Sequence, residues 1–185
     1  MSKRAQLLLL VSGGIDSTAM IDFYLHRSPS VLLVHFQYGQ PSSQSERVAV
    51  ERISDYYHQK SNIVKLDFPM VERGEELIYR NLLFVLAACS MNPPPLRIAL
   101  GIHVSSLYYD STKSFLDDCQ RVLDGYFAGS VLVEAPFISI TKRDVMEYCK
   151  SHNVPLQLTY SCLRQNNPPC GECSSCLDRK RLLGS

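Results

Sequence analysis

Two groups of residues in this 185-residue chain have the types and spacing of chemical sites. The first is Ser12-Gly13-Gly14-Ile15-Asp16-Ser17-Thr18, which follows the apolar run Leu7-Leu8-Leu9-Leu10-Val11. A buried strand that breaks at Gly-Gly and runs into a helix forms an anion cradle. Glycines let the backbone turn tightly and approach a ligand, and the unpaired N–H groups of the helix start favour phosphate. Ser12, Ser17 and Thr18 add hydroxyl donors. Asp16 beside bare phosphate would be repelled unless a Mg²⁺ ion lay between them, so the loop predicts a nucleotide pyrophosphate with Mg²⁺. It is not a Walker A loop, because no Gly-Lys-Ser/Thr follows. The plain alternative is a strand–helix turn whose serines cap the helix.

The second group is Cys162, Cys170, Cys173 and Cys176. Two Cys-x-x-Cys steps share Cys173, Gly171 allows the tight turn, and Cys162 arrives from a separate segment. Four thiolates close a tetrahedral Zn²⁺ site with no open position, which makes the ion structural. An iron–sulfur cluster, a redox pair or uncoordinated cysteines are the alternatives. Cys89, Cys119 and Cys149 fall in helical apolar stripes and read as core. Arg179-Lys180-Arg181 reads as a solvated helix end, with a nucleic-acid patch as the alternative.

Short apolar runs alternate with helical periods, the pattern of an α/β protein with a mainly parallel sheet. Strands are expected over 6–11, 31–36, 62–66, 98–102 and 131–134. Helices are expected over 17–27, 44–59 (Val48, Ile53 and Tyr56 inward), 81–91 (Asn81 as N-cap), 113–128 (stripe Phe115, Cys119, Val122, Tyr126) and 141–152. Thr141 and Asp144 form a capping box in the last of these. Residues 67–79 read as a polar connecting loop, and regular patterning stops beyond Leu158. The organisation is therefore a nucleotide-binding α/β unit over 1–158 with a zinc-binding tail, 159–185, packed on it.

Composition fits this picture. Hydrophobic residues make up 45% and charged residues 20%, which excludes disorder, collagen and coiled coil. The formal net charge of +1 gives no support for a nucleic acid as the main partner. Met1-Ser2-Lys3-Arg4-Ala5-Gln6 leads into an apolar run too short for an export signal or a membrane span. The expectation is a cytoplasmic protein, away from membranes, whose seven cysteines are thiols or metal ligands.

Together the two groups resemble the PP-loop ATP pyrophosphatases, and within them the 7-cyano-7-deazaguanine (preQ0) synthases. Further segments match in order: Phe36-x-Tyr38-Gly39-Gln40, Arg80-Asn81-Leu82-Leu83-Phe84, Leu100-Gly101, Tyr108-x-Asp110 with Phe115, Glu134-Ala135-Pro136 before Lys142, and Thr159-x-x-Cys162. The resemblance implies a doubly wound parallel sheet of the HUP (adenine nucleotide α-hydrolase-like) type with a C-terminal zinc knuckle, ATP with Mg²⁺, structural Zn²⁺, and often a homodimer. It implies ligation of 7-carboxy-7-deazaguanine with ammonia, through an amide, to the nitrile. By position, Ser12, Gly13, Gly14, Ile15, Asp16, Ser17 and Thr18 would hold pyrophosphate and Mg²⁺. His35, Phe36 and Gly101 would meet the nucleotide. Tyr38, Gln40, Arg80, Asn81, Tyr108 and Asp110 would face the substrate, with Asp16, Arg80 and Lys142 catalytic. Plain alternatives stand beside these roles: Arg80 paired with Glu75 or Glu76, Lys142 simply in a helix's first turn, Asn81 only a cap.

The chain departs from the family pattern near the expected substrate. His103-Val104-Ser105-Ser106 replaces an acidic stretch, and His103 either lines the site or is structural. Ser111 and Thr112 stand where Cys and Arg are usual, which leaves Asp110 as the acidic candidate for the substrate's N–H edge. The stretch 66–80 is short. This opens a rival in which the activated acyl group passes to another amine, even one on a protein. A tRNA-modifying thiolase of the same superfamily and a non-catalytic nucleotide-binding subunit are the further rivals.

Overall fold

The computed structural model describes residues 5–28, 30–67, 72–73, 76–105, 108–164 and 168–184. Met1 to Arg4 and Ser106 lie outside these. Five parallel strands form one sheet: β1 (Gln6–Leu10), β2 (Leu32–Gln37), β3 (Lys60–Lys65), β6 (Leu96–Leu100) and β7 (Val131–Glu134). Their spatial order is β3-β2-β1-β6-β7. Residues 67–79, expected as a loop, hold two further strands, β4 (Glu72–Arg73) and β5 (Glu76–Leu77), antiparallel to each other. At two residues each, they are too short to show a period-2 pattern.

The helices are α1 (Ile15–Leu25), α2 (Ser43–Tyr56), α3 (Arg80–Met91), α4 (Lys113–Phe127), α5 (Lys142–Ser151) and α6 (Ser174–Leu183). Alternate side chains of β1 feed two cores. Leu7 and Leu9 pack on one face with Met20, Ile21, Val50, Ile53, Val145 and Met146. Leu8 and Leu10 pack on the other with Val85, Ala88, Phe115 and Leu123. The sheet is thus covered on both sides, as uninterrupted apolar runs in parallel strands require. Cys89, Cys119 and Cys149 are buried core residues, as expected.

Four local expectations are corrected. Strand β6 lies two residues earlier than expected, Leu96–Leu100, because Leu96 and Arg97 already pair with both β1 and β7. Tyr56 is half exposed on α2, whose inward face is Ala49, Val50 and Ile53. On α4, Phe115, Cys119 and Leu123 are buried while Val122 and Tyr126 are exposed. That helix is about 22 Å long and the four-residue strand beside it about 13 Å, so its last turns outrun the surface they would cover. Finally, the chain does not lose regular structure after Leu158, since α6 follows the knuckle, with Cys173 as its N-cap.

The chain winds from β1 outward through β2 to β3, then returns to the far side of β1 for β6 and β7. The crossovers diverge above the carboxyl ends of β1 and β6, where sheets of this kind open a crevice for ligands.

Candidate functional site

That crevice is occupied by the Ser-Gly-Gly-Ile-Asp-Ser loop. Gly13 has φ +78° and lies so close to α2 that a Cβ would come within 3.0 Å of Ala49 Cβ and the Glu46 carbonyl. Gly14 is the N-cap of α1 and supplies no side-chain cap, so the first N–H groups of the helix keep their anion-binding capacity. The serines do not cap the helix either. Ser17 Oγ donates to the Gly14 carbonyl at 3.1 Å and accepts from the Ser12 N–H at 3.3 Å. Thr18 is wholly buried, its hydroxyl donating to the Gly14 carbonyl at 2.8 Å. These bonds hold the turn open as a cradle. Across it, Gly101 touches the start of α1 so closely that a Cβ would meet Ser17 N at 3.1 Å.

Asp16 is the acidic residue of the cradle. Its Oδ1 is buried with no hydrogen-bond partner. His103 Nε2 stands 3.8 Å from Oδ1, and Lys142 Nζ 3.9 Å from Oδ2. A buried carboxylate oxygen lacking a donor, beside a phosphate-type loop, fits a residue that would hold a divalent cation, whose charge would offset that of a phosphate. Burial pulls the His103 imidazole below its ordinary range, and Lys142 adds to this, while Asp16 and Asp178 pull the other way.

Lys142 opens α5 behind the Thr141–Asp144 capping box, which is present as expected. A lysine in a first helical turn sits at the unfavourable end of the helix dipole. Asp16 and Asp178, the latter 3.7 Å away, supply the compensating charge.

The cleft, about 370 Å³ in volume, is lined by Ser12, Gly14, Ile15, Asp16, Ser17, His35, Phe36, Tyr38, Arg80, Asn81, Gly101, Tyr108 and Lys142 from the expected set. His103 lines it too. His35 is buried, with Nδ1 2.9 Å from the Val11 carbonyl and Nε2 without a partner. Phe36 stacks on Phe84 at 4.5 Å, and both rings line the cleft as a flat apolar wall. Burial pushes the Tyr38 hydroxyl up, against the pull of the Arg80 guanidinium that hydrogen-bonds to it. Of the alternative partners for Arg80, Glu75 and the Glu76 side chain lie outside the described residues. Among the described residues no carboxylate is in ion-pair range of Arg80.

Four expected residues stand behind the wall. Gly13 and Thr18 shape the loop from beneath. Gln40 accepts the Tyr38 N–H at 2.8 Å and donates to the Phe36 carbonyl and to Glu46, closing the turn that presents Tyr38. Buried Asp110 accepts the Asn81 N–H at 3.2 Å, and its carbonyl accepts from the Asn81 amide at 2.9 Å. Asn81 is therefore not the N-cap of α3, a position held by Tyr79 at φ +65°. Its side chain turns instead to a partner 29 residues away, which no local pattern shows.

Among the wall residues that the sequence does not place in the site are Glu46 and Arg179. Lys180 and Arg181 are solvated as expected, but Arg179 is half-buried, and burial draws its guanidinium below the ordinary value. Successive helical residues point about 100° apart, and only the docking of α6 reveals which of the three faces inward.

The four cysteine sulfurs lie within 4.8 Å of one another. Cys162 Sγ is 3.5 Å from Cys170 Sγ, which is 3.9 Å from Cys176 Sγ. Tetrahedral Zn–S bonds near 2.3 Å put sulfurs about 3.8 Å apart, so the residues fit zinc. The N–H groups of Glu172 and Cys173 bring the Cys170 thiol down to about 6, and those of Cys170 and Arg164 point at the Cys162 sulfur, each at 3.4 Å. Both arrangements favour thiolate.

A family profile described as "Queuosine biosynthesis protein QueC" matches residues 6–81 and 75–184. The chain belongs to the QueC family. QueC-type relatives include 7-cyano-7-deazaguanine synthase 1 of Desulfitobacterium hafniense (strain Y51), 28% identical, with 96% of this chain and 91% of the relative covered. The 7-cyano-7-deazaguanine synthase of Aquifex aeolicus (strain VF5) is 27% identical, with 99% and 98% covered. Among solved structures, an NMN synthetase from Francisella tularensis aligns with a TM-score of 0.53 at 12% identity, over 87% of this chain and 68% of that one, a likeness of fold. The QueC match divides at residues 75–81, which overlap the end of the 66–80 stretch that reads as short in the sequence. No helix among the described residues is long and apolar enough to cross a membrane.

Proposed function

We propose that the protein is an ATP-dependent, adenylate-forming ligase that activates the carboxylate of 7-carboxy-7-deazaguanine, or a close relative, for attack by ammonia. The observation that carries this reading is the cradle itself: an uncapped helix start and the orphaned Asp16 Oδ1, facing a cleft lined by Arg80 and Lys142. The QueC relationship supports the substrate class.

A free carboxylate resists amines, because oxide is a poor leaving group and the anion repels nucleophiles. Transfer of AMP from ATP to that oxygen releases pyrophosphate and creates a good leaving group. Ammonia then displaces AMP to give the amide. A second adenylation, on the amide oxygen, allows loss of AMP and two protons to leave the nitrile.

In this reading the Ser12–Ser17 loop receives the pyrophosphate, and Asp16 would hold a Mg²⁺ ion, which would supply charge neutralisation there. Phe36 and the end of β2 flank the adenine. Lys142, drawn over the cradle by Asp16, stabilises charge on the phosphorus under attack, while Arg80 and Tyr38 orient the carboxylate. Asp110 acts through Asn81, fixing the α3 end that presents Arg80. The zinc knuckle, 159–185, belongs to the wall of the same site.

The short 66–80 stretch favours a second reading, in which a bulkier amine, such as one on a protein, takes the activated acyl group. Incubation with ATP, Mg²⁺, 7-carboxy-7-deazaguanine and ammonia, followed by mass spectrometry, separates the two. The first reading yields free nitrile and the second a protein mass increase. Absence of both products, with no pyrophosphate released, refutes the reading. Asp16→Ala should abolish turnover and leave zinc content unchanged.

A further inference from the structure

Helix α6 is anchored at its start by the knuckle, with Cys173 as N-cap and Cys176 in its first turn. One turn further on, Arg179 enters the cleft wall. Its Nη1 donates to Thr159 Oγ1 at 2.7 Å and Ser161 Oγ at 3.2 Å, and its Nη2 to the Leu156 carbonyl at 2.8 Å. All three acceptors are neutral. Among the described residues no carboxylate lies in ion-pair range of Arg179, for the neighbouring Asp178 is engaged by Lys142 and Arg181. A half-buried guanidinium with no carboxylate partner, offset only by the nearby Cys176 sulfur, keeps capacity for an anionic ligand.

The segment that Arg179 holds lies against the cradle. Tyr160, between Thr159 and Ser161, donates its N–H to the Gly13 carbonyl at 2.9 Å, and its own carbonyl is 3.7 Å from where a Gly14 Cβ would stand. The cation is thus tied to the cradle side of the cleft, while Arg80 opens α3 and Tyr38 follows β2. Three of its five N–H donors are used, leaving the Nε–H and one Nη2–H, a fork suited to a phosphate oxyanion.

We propose that Arg179 is a phosphate-contacting residue that grips the pyrophosphate portion of the nucleotide, and that the thiolate knuckle fixes the helix presenting it. This rests on reading the cleft as a nucleotide site.

The test compares zinc-loaded full-length protein with Arg179→Gln and Arg179→Lys. Equilibrium binding is measured for Mg-ATP, pyrophosphate and adenosine. Arg179→Gln should weaken Mg-ATP and pyrophosphate by about tenfold to a hundredfold, the loss of one charge-assisted contact. Adenosine affinity and zinc content should stay at wild-type values, while the melting temperature falls with the loss of the bonds to Leu156, Thr159 and Ser161. Arg179→Lys, which keeps charge without the fork, should give a smaller loss with the same ligand pattern, and serves if the Gln variant does not fold. Equal loss for adenosine and Mg-ATP would assign Arg179 a purely structural role and overturn the proposal, as would unchanged pyrophosphate binding. If wild-type protein binds neither Mg-ATP nor pyrophosphate, the nucleotide reading itself falls. If it binds both and only the variants fail to discriminate, Arg179 alone is refuted.

Discussion

Single residues set the limits on this site in two ways, by shape and by charge. Gly13 combines a left-handed φ with backbone and side-chain neighbours at 3.0 Å. Gly13→Ala should therefore cost about 1–3 kcal/mol of stability, through strain and overpacking together. Chemical denaturation measures it, and an unchanged midpoint would refute the close approach of loop and α2. Charge acts at Glu134, at the end of β7. Burial would raise its carboxyl, but Arg97, at 2.6 and 2.8 Å, and the Tyr24 hydroxyl, at 2.9 Å, outweigh that and hold it below its ordinary value of 4.5. A carboxyl depressed on folding contributes stability that is complete above its unfolded pKa and fades as pH falls through the folded one. Glu134→Gln should lose about 1–2 kcal/mol at neutral pH and shrink the gap to wild type in acid. Parallel stability curves from pH 7 to pH 3 would contradict it.

The elements explain why a cysteine knuckle adjoins the cleft proposed to hold the nucleotide. Helix α6 carries two residues that reach back over the cradle, Asp178 to Lys142 and Arg179 to Thr159 and Ser161. Its anchor is the four-sulfur cluster, which without a cation gathers negative charge at close range. Removing zinc with a strong chelator should loosen α6 and lower Mg-ATP affinity along with helical content. A chelated protein that retained full nucleotide affinity would show that knuckle and cleft are independent. Much of this level was legible in advance. The Thr141–Asp144 box, the strand before the Gly-Gly pair and the three core cysteines follow from local chemistry. The α6 helix was not, because cysteine spacing reports a metal and its short polar sequence offers no apolar stripe. Nor was the role of Asn81, whose partner Asp110 comes from a distant segment.

At the scale of the whole molecule, the strand order decides the site. Parallel crossovers that diverge from β1 and β6 place the cradle, the β2 end and the start of α5 around one cleft. A ligand that binds only this assembled state must stabilise it by mass action. At a concentration about 100 times its dissociation constant, Mg-ATP should add roughly 2.7 kcal/mol, raising the melting temperature by about 5–10 °C for a chain of this size. A flat thermal shift across that range would argue against a preformed nucleotide site. The sequence by itself determined the anion loop, the thiolate set and the α/β class, because glycine conformation, thiol chemistry and apolar period are properties of residues a few positions apart. Only the tertiary structure decided that Arg179 faces the cleft while Lys180 and Arg181 face water, that Asp110 serves Asn81, and that Lys142 joins Asp16 to Asp178. Those outcomes depend on how distant segments dock, and docking is governed by packing across the whole sheet.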